Sequence, residues 1–312
     1  MKKAIKILVL TVLGIIVALI FLFIFASRQP VVKENYFEEV MTTNQALEQK
    51  YTLKGNYVVS TWEQDVGDEK IGSYKIWYPT KLEKGGNKYP LVVMANGTGV
   101  PASKYEAIFD HLASWGFIVI GNEDKSSWDG ISSAKSLELM LELNNTDSSI
   151  FYRKIDIDNI GIAGHSQGGV GAINAVTAQE NGNSYKTIYT ASTPHLALAE
   201  GLKWQYDVSK INIPYFMTAG TLKIDAGDDK NSGIAPLFSL QENYQAISDD
   251  VTKIYARRVN TDHGDMLPLA DGYMTAWFRY YLQDDKEAEN VFFGDDAEIL
   301  SNTNWQDVEI NR

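Results

Sequence analysis

Ser166 lies in Gly164-His165-Ser166-Gln167-Gly168-Gly169, after the strand-like run Ile160-Gly161-Ile162-Ala163 and before Val170–Val176, whose spacing predicts a helix. A serine on a sharp turn between a strand and a helix is held in a strained conformation. Its neighbours must be very small, which Gly164 and Gly168 are, and its hydroxyl is lifted above the sheet edge as a nucleophile. Backbone N–H groups at the start of the helix then face any negative charge that develops beside it. A bare G-x-S-x-G also arises in ordinary glycine-rich turns; the strand before it and the helix after it give this one its weight.

A serine nucleophile needs a base to take its proton and a carboxylate to orient that base. The chain has four histidines. His165 sits inside the turn and points away from the serine. His111 falls within a predicted helix and reads as a helix histidine. His195, in Ser192-Thr193-Pro194-His195, comes too early in the chain. His263, in Asn260-Thr261-Asp262-His263-Gly264-Asp265 just after the last predicted strand, is the expected base. The acid is expected on the loop after the preceding strand, Pro214–Gly220. Asp225 is the choice there, with Asp228 and Asp229 as alternatives in the same acidic loop, whose spacing fits no strong calcium pattern. Two backbone donors must hold the oxyanion. One is the N–H of Gln167, the residue after the nucleophile. The other is the N–H of Thr98, in Asn96-Gly97-Thr98-Gly99 after the third strand. Trp128, Trp204 and Phe238 read equally well as cleft lining and as packing.

These residues need a frame. Tyr51–Trp62 and Ile71–Tyr78 read as an antiparallel pair of strands, rich in Tyr, Val, Ile and Trp. Pro90–Met94 and Phe117–Ile120 are short apolar runs, as in strands buried on both faces. The elbow strand follows, then strands at Thr187–Thr190, Pro214–Ala219 and Thr252–Val259. Helical spacing marks Ser103–Trp115, Ser132–Leu143 and Pro268–Leu282. Strands alternating with helices predict a mainly parallel sheet covered on both faces, and no linker composition divides residues 51–312.

The 312 residues are 45% hydrophobic and 22% charged, with no cysteine, which excludes disulfides, thiolate metal sites and a cysteine nucleophile. Residues 1–28 carry Lys2, Lys3, Lys6 and Arg28 and no acid; the remainder sets 24 basic against 40 acidic side chains, a net −16. Such a body is a poor match for nucleic acid or an anionic lipid surface. Ile7–Ala26 is uncharged and long enough to span ~30 Å of hydrocarbon. With basic residues before it, it predicts an anchor whose N-terminus stays in the cytoplasm and whose following domain lies outside; a cleaved signal leading to secretion is the alternative. The expected organisation is anchor or signal at 1–28, stalk with a short helix at 29–50, and one catalytic domain at 51–312. The composition and the Met-Lys-Lys start suggest a bacterial chain.

The order Ser166, Asp225, His263 resembles the α/β-hydrolase fold, over roughly residues 50–285. Within it, the chain is similar to dienelactone-hydrolase-like, polyester-hydrolase (cutinase-like) and chlorophyllase-like esterases. The similarity rests on Ala95–Gly99, Leu112-Ala113-Ser114-Trp115-Gly116-Phe117, Gly164–Gly169, Thr275–Leu282 and Phe292-Phe293-Gly294. It departs from them in Asn96, where many relatives have histidine, in the long acidic loop after Gly220, and in the absence of any cysteine for a C-terminal disulfide. The resemblance implies an eight-stranded, mostly parallel sheet with helices on both faces. It also implies a serine esterase that works through an acyl-enzyme on a small-molecule, lipid or polymer ester and needs no metal or organic cofactor. An acyltransferase, an amidase or peptidase, or an inactive binding protein would use the same fold.

Overall fold

The computed structural model describes residues 29–40, 45–228 and 232–312. The anchor expected at Ile7–Ala26 lies outside them; among the described residues no helix is long and apolar enough to cross a membrane. Val32–Arg312 form one compact unit.

Its strands are β1 (Val59–Asp65), β2 (Ser73–Pro79), β3 (Tyr89–Ala95), β4 (Ile118–Asn122), β5 (Ile155–His165), β6 (Thr187–Ala191), β7 (Tyr215–Gly220), β8 (Lys253–Arg258) and β9 (Trp305–Asn311). They form one sheet in the order β1-β2-β4-β3-β5-β6-β7-β8-β9. The pairings from β4 through β8 are parallel, and β1, β2 and β9 join antiparallel. The described sheet therefore has nine strands where eight were expected. The addition is β9, an edge strand whose Gln306, Asp307 and Glu309 point to solvent or lie half-exposed, so it lacks the apolar signature of its neighbours.

The principal helices are α1 (Tyr36–Glu39), α2 (Ala46–Thr52), α3 (Glu106–Ser114), α4 (Ile131–Asn145), α5 (Gln167–Thr177), α6 (Leu196–Gly201), α7 (Lys223–Ala226), α8 (Leu237–Ala246), α9 (Met266–Leu269), α10 (Asp271–Gln283), α11 (Lys286–Phe292) and α12 (Glu298–Ser301). Alternate side chains of each inner strand serve opposite faces. Leu91 and Val93 pack with Leu137, Met140, Val170 and Ile173 on one side. Val92 and Met94 pack with Ile108, Phe109, Trp277 and Phe278 on the other. This is why the inner strands are apolar throughout.

Two expectations are corrected at the N-terminal side. Where 29–50 was expected to be a stalk, its described residues include Val32, Tyr36 and Glu48, which are only 2%, 4% and 2% exposed, so residues 32–40 and 45–50 contribute side chains to the body. Tyr36 donates its hydroxyl to buried Asp271 at 2.5 Å. The strand expected over Tyr51–Trp62 begins only at Val59, because α2 runs through Thr52. The N-terminus of α2 is capped from a distance, the Glu298 carboxylate accepting the N–H groups of Leu47 and Glu48 at 2.7 and 2.6 Å. The helix expected over Pro268–Leu282 is also two helices, α9 and α10.

Candidate active site

Strand β5 lies at the centre of the sheet and ends at His165; α5 starts at Gln167. Ser166 between them has φ +58° and ψ −125°, a conformation that non-glycine residues rarely adopt. Close packing holds it there. A Cβ on Gly164 would lie 2.0 Å from the Gly168 carbonyl oxygen, and one on Gly168 would lie 2.1 Å from that of Ala95. The Ser166 N–H donates to the Ala191 carbonyl at 2.9 Å, fixing the turn to β6.

The loops after β7 and β8 meet beside this turn. His263 Nδ1 and Asp225 Oδ1 are 2.7 Å apart. Asp225 is fully buried. Its other oxygen accepts from the Ser192 hydroxyl at 2.5 Å and from the Gly220 N–H at 2.7 Å. Burial alone would raise the Asp225 pKa. The hydrogen bond and charge of His263, with the Ser192 and Gly220 bonds, outweigh burial and hold it below the ordinary carboxylate value. Asp228 is exposed and paired with Lys223, away from His263; Asp229 lies outside the described residues. No hydrogen bond joins Ser166 Oγ to His263 among the described residues. Such a bond is commonly long in the absence of substrate.

Three neighbours complete the arrangement, and inspection of the sequence missed their roles. The Asp262 carboxylate accepts the N–H groups of Ile224, Asp225 and His263 at 2.8, 3.3 and 3.0 Å, so one side chain ties the acid loop to the histidine loop. Its place next to His263 was the only signal. Ser192, with φ +54°, carried no signal in the sequence. His165 does turn away from the serine, and its Nε2 lies 2.7 Å from the His263 carbonyl oxygen. A carbonyl only accepts, so His165 carries its proton on Nε2. Burial, and then the neighbouring His263, push its pKa down to about 4. An apolar floor that includes Met94, Tyr105, Tyr189, Met266 and Met274 lies beneath it.

The remaining predicted positions fall nearby. Gly97 runs alongside the serine: a Cβ there would be 3.9 Å from Ser166 Cβ and 3.4 Å from the His165 carbonyl oxygen. Among the described residues no protein group takes the N–H of Thr98 or of Gln167. His195 caps α6 and packs edge-on against Phe238, the ring centres 5.5 Å apart. His111 is buried, its Nδ1 2.7 Å from Asp271, and has no place in this site.

A serine held on a strained strand-to-helix turn, beside a buried carboxylate–imidazole pair, defines a serine hydrolase of the α/β-hydrolase superfamily. The chain belongs to the PET hydrolase-like family, whose model matches residues 42–308. It is 27% identical over 227 residues to the cutinase est1 of Thermobifida alba, covering 70% of this chain and 68% of that protein. It is 26% identical over 246 residues to the bis(hydroxyethyl) terephthalate hydrolase of Streptomyces coelicolor, covering 76% of this chain and 71% of that one. The protein is accordingly a carboxylic ester hydrolase.

Proposed function

We propose that Ser166, His263 and Asp225 form the catalytic triad, with the N–H groups of Gln167 and Thr98 as oxyanion donors. The observation that carries this reading is the 2.7 Å Asp225–His263 contact beside a serine at φ +58°. Ser166 Oγ attacks the ester carbonyl carbon while His263 Nε2 takes its proton. The carbonyl oxygen becomes an anion held by the two N–H groups. The intermediate collapses, His263 returns the proton to the departing alcohol, and an acyl-enzyme remains. Water then repeats the sequence, losing its proton to His263 and releasing the acid and free Ser166. Asp225 keeps the Nδ1 proton in place and stabilises the imidazolium that forms at each step.

The substrate class follows the relatives, which are named for cutin and for a terephthalate diester: carboxylic esters with a bulky or polymeric acyl part. The test is hydrolysis of 4-nitrophenyl esters from acetate to palmitate, beside Ser166→Ala. The variant should lose at least ~10³-fold in kcat with its fold intact. An alanine variant as active as the parent would overturn the assignment. The uncharged run Ile7–Ala26 supports a further proposal, a single-pass anchor that holds the domain outside the cytoplasm. After an alkaline carbonate wash the full chain should remain in the membrane pellet. Recovery of full-length chain in the soluble fraction would refute an anchor.

A further inference from the structure

The end of β4 and the loop after it, residues 122–128, touch both segments that carry the proposed oxyanion donors. Ser127 is 1% exposed. Its hydroxyl donates to the Asn96 carbonyl at 2.6 Å, and its N–H donates to Gln167 Oε1 at 3.0 Å. Its own carbonyl abuts α5, where a Cβ on Gly171 would be 2.4 Å away. The same loop holds the far end of the Thr98 turn, since the Lys125 carbonyl accepts the Gly99 N–H at 2.9 Å. It also holds the near end, since Asn96 Nδ2 donates to the carbonyls of Asn122 and Asp124 at 2.7 and 2.8 Å. Tyr105 completes the seat of Asn96 by donating to its Oδ1 at 2.5 Å.

We propose that Ser127 is a positioning residue that sets the distance between the Thr98 and Gln167 N–H groups by bonding to the segments that carry both. The inference rests on the oxyanion assignment above. Its physical basis is that such donors act through pre-organisation. They must already point at the site where charge develops, because reorientation during the reaction would cost the energy they supply. Thr98 lies between Asn96 and Gly99, both held by this loop, while Gln167 is held by its own side chain. Asn96 contributes to this frame as a side-chain anchor, through bonds that its amide makes in both directions.

The test compares Ser127→Ala and Gln167→Ala, the second of which keeps its backbone N–H and loses the side-chain amide whose Oε1 accepts from the Ser127 N–H. The readouts are kcat and KM on 4-nitrophenyl butyrate, and the inhibition constant of an arylboronic acid that adds to the serine and places a tetrahedral oxygen between the donors. Each variant should lose ~10-fold in kcat, less than the 10²–10³ lost when a donor is removed outright. KM should stay within about twofold and boronate affinity should fall by the same factor as kcat, because only the tetrahedral state uses the donors. The double variant should lose less than the product of the single losses, as expected for two ends of one connection. A lowered urea midpoint with kcat and boronate affinity unchanged would overturn the proposal, as would loss in the Gln167 variant alone. If Ser127→Ala does not fold, Ser127→Cys, which keeps a side chain there but donates weakly, makes the same comparison. Turnover surviving in Ser166→Ala would instead refute the underlying triad, so the two failures are distinct.

Discussion

At the scale of single residues, the proposed chemistry rests on a few groups held in unusual states. The Asp225 carboxyl is buried, yet the three donors that converge on it hold its pKa below the ordinary carboxylate value. Asp225→Asn should leave the loops in place but present an amide to His263 Nδ1 and favour the wrong tautomer. A fall of ~10⁴ in kcat with a near-native urea midpoint is expected. His165 gives a pH signature. Its folded pKa, about 4, lies below the value of 6.5 for an unperturbed histidine. Between these values the unfolded chain binds the extra proton, so stability rises with pH across that window and is lost as pH falls through it. His165→Gln keeps a donor for the His263 carbonyl but removes the titration. Urea unfolding at pH 4.5 and 7 should show the variant's pH dependence flatter than the parent's by up to one proton. An unchanged slope would mean that the folded surroundings of His165 do not depress its pKa.

At the scale of elements, the turn between β5 and α5 is a steric device. With Cβ distances of 2.0 and 2.1 Å at Gly164 and Gly168, an added methyl group meets backbone, which has no rotamer into which to withdraw. Gly168→Ala should therefore cost ~3 kcal/mol or more and depress activity in whatever fraction folds, as read from the urea midpoint and the kcat. A neutral midpoint would show that β3 can recede from the elbow. This steric demand is local, which is why the turn stood out in a single chain: the glycines, the apolar strand and the helix are contiguous. The element that went unread, β9, has no such local mark. Its place in the sheet comes from pairing with β8 across some fifty residues, from Lys253↔Asn311 to Arg258↔Trp305.

At the scale of the whole molecule, the two ends of the described chain close on each other through buried polar groups. Glu48 Oε1 accepts from Arg258 Nη1 at 2.7 Å and from Trp305 Nε1 at 3.1 Å. Its Oε2 accepts from the amides of Asn302 and Asn304 at 2.9 and 2.8 Å. Four donors aimed at one carboxylate require both oxygens. Glu48→Gln conserves shape but sets an NH₂ group against two of those donors and removes the charge facing Arg258. It should destabilise the protein by ~3–5 kcal/mol, measured by urea unfolding, while the folded fraction keeps its kcat, since the substitution touches no site residue. A shift below ~1 kcal/mol would mean that this network contributes little to holding the ends together.

Residue types and their order along the chain point to Ser166, His263 and the loop of Asn96–Gly99 as candidates, and predict a mainly parallel sheet. Each depends on contiguous features: a glycine-flanked turn, buried apolar runs, and loops at strand ends. They favour Asp225 as the carboxylate that meets His263 but leave Asp228 and Asp229 open as alternatives. Asp225 and Asp228 are three residues apart in identical chemistry, and only the folded chain buries one against the imidazole and leaves the other paired with Lys223 in solvent. Nor could they place α2 in the body, since its cap, Glu298, is 250 residues away. Likewise, the contacts of His165, Ser127 and Asp262 exist only once the loops after β4, β7 and β8 arrive at the end of β5. Local sterics and hydrophobic periodicity are written in neighbouring residues, whereas a hydrogen-bond partner brought in from another loop is fixed only by tertiary packing.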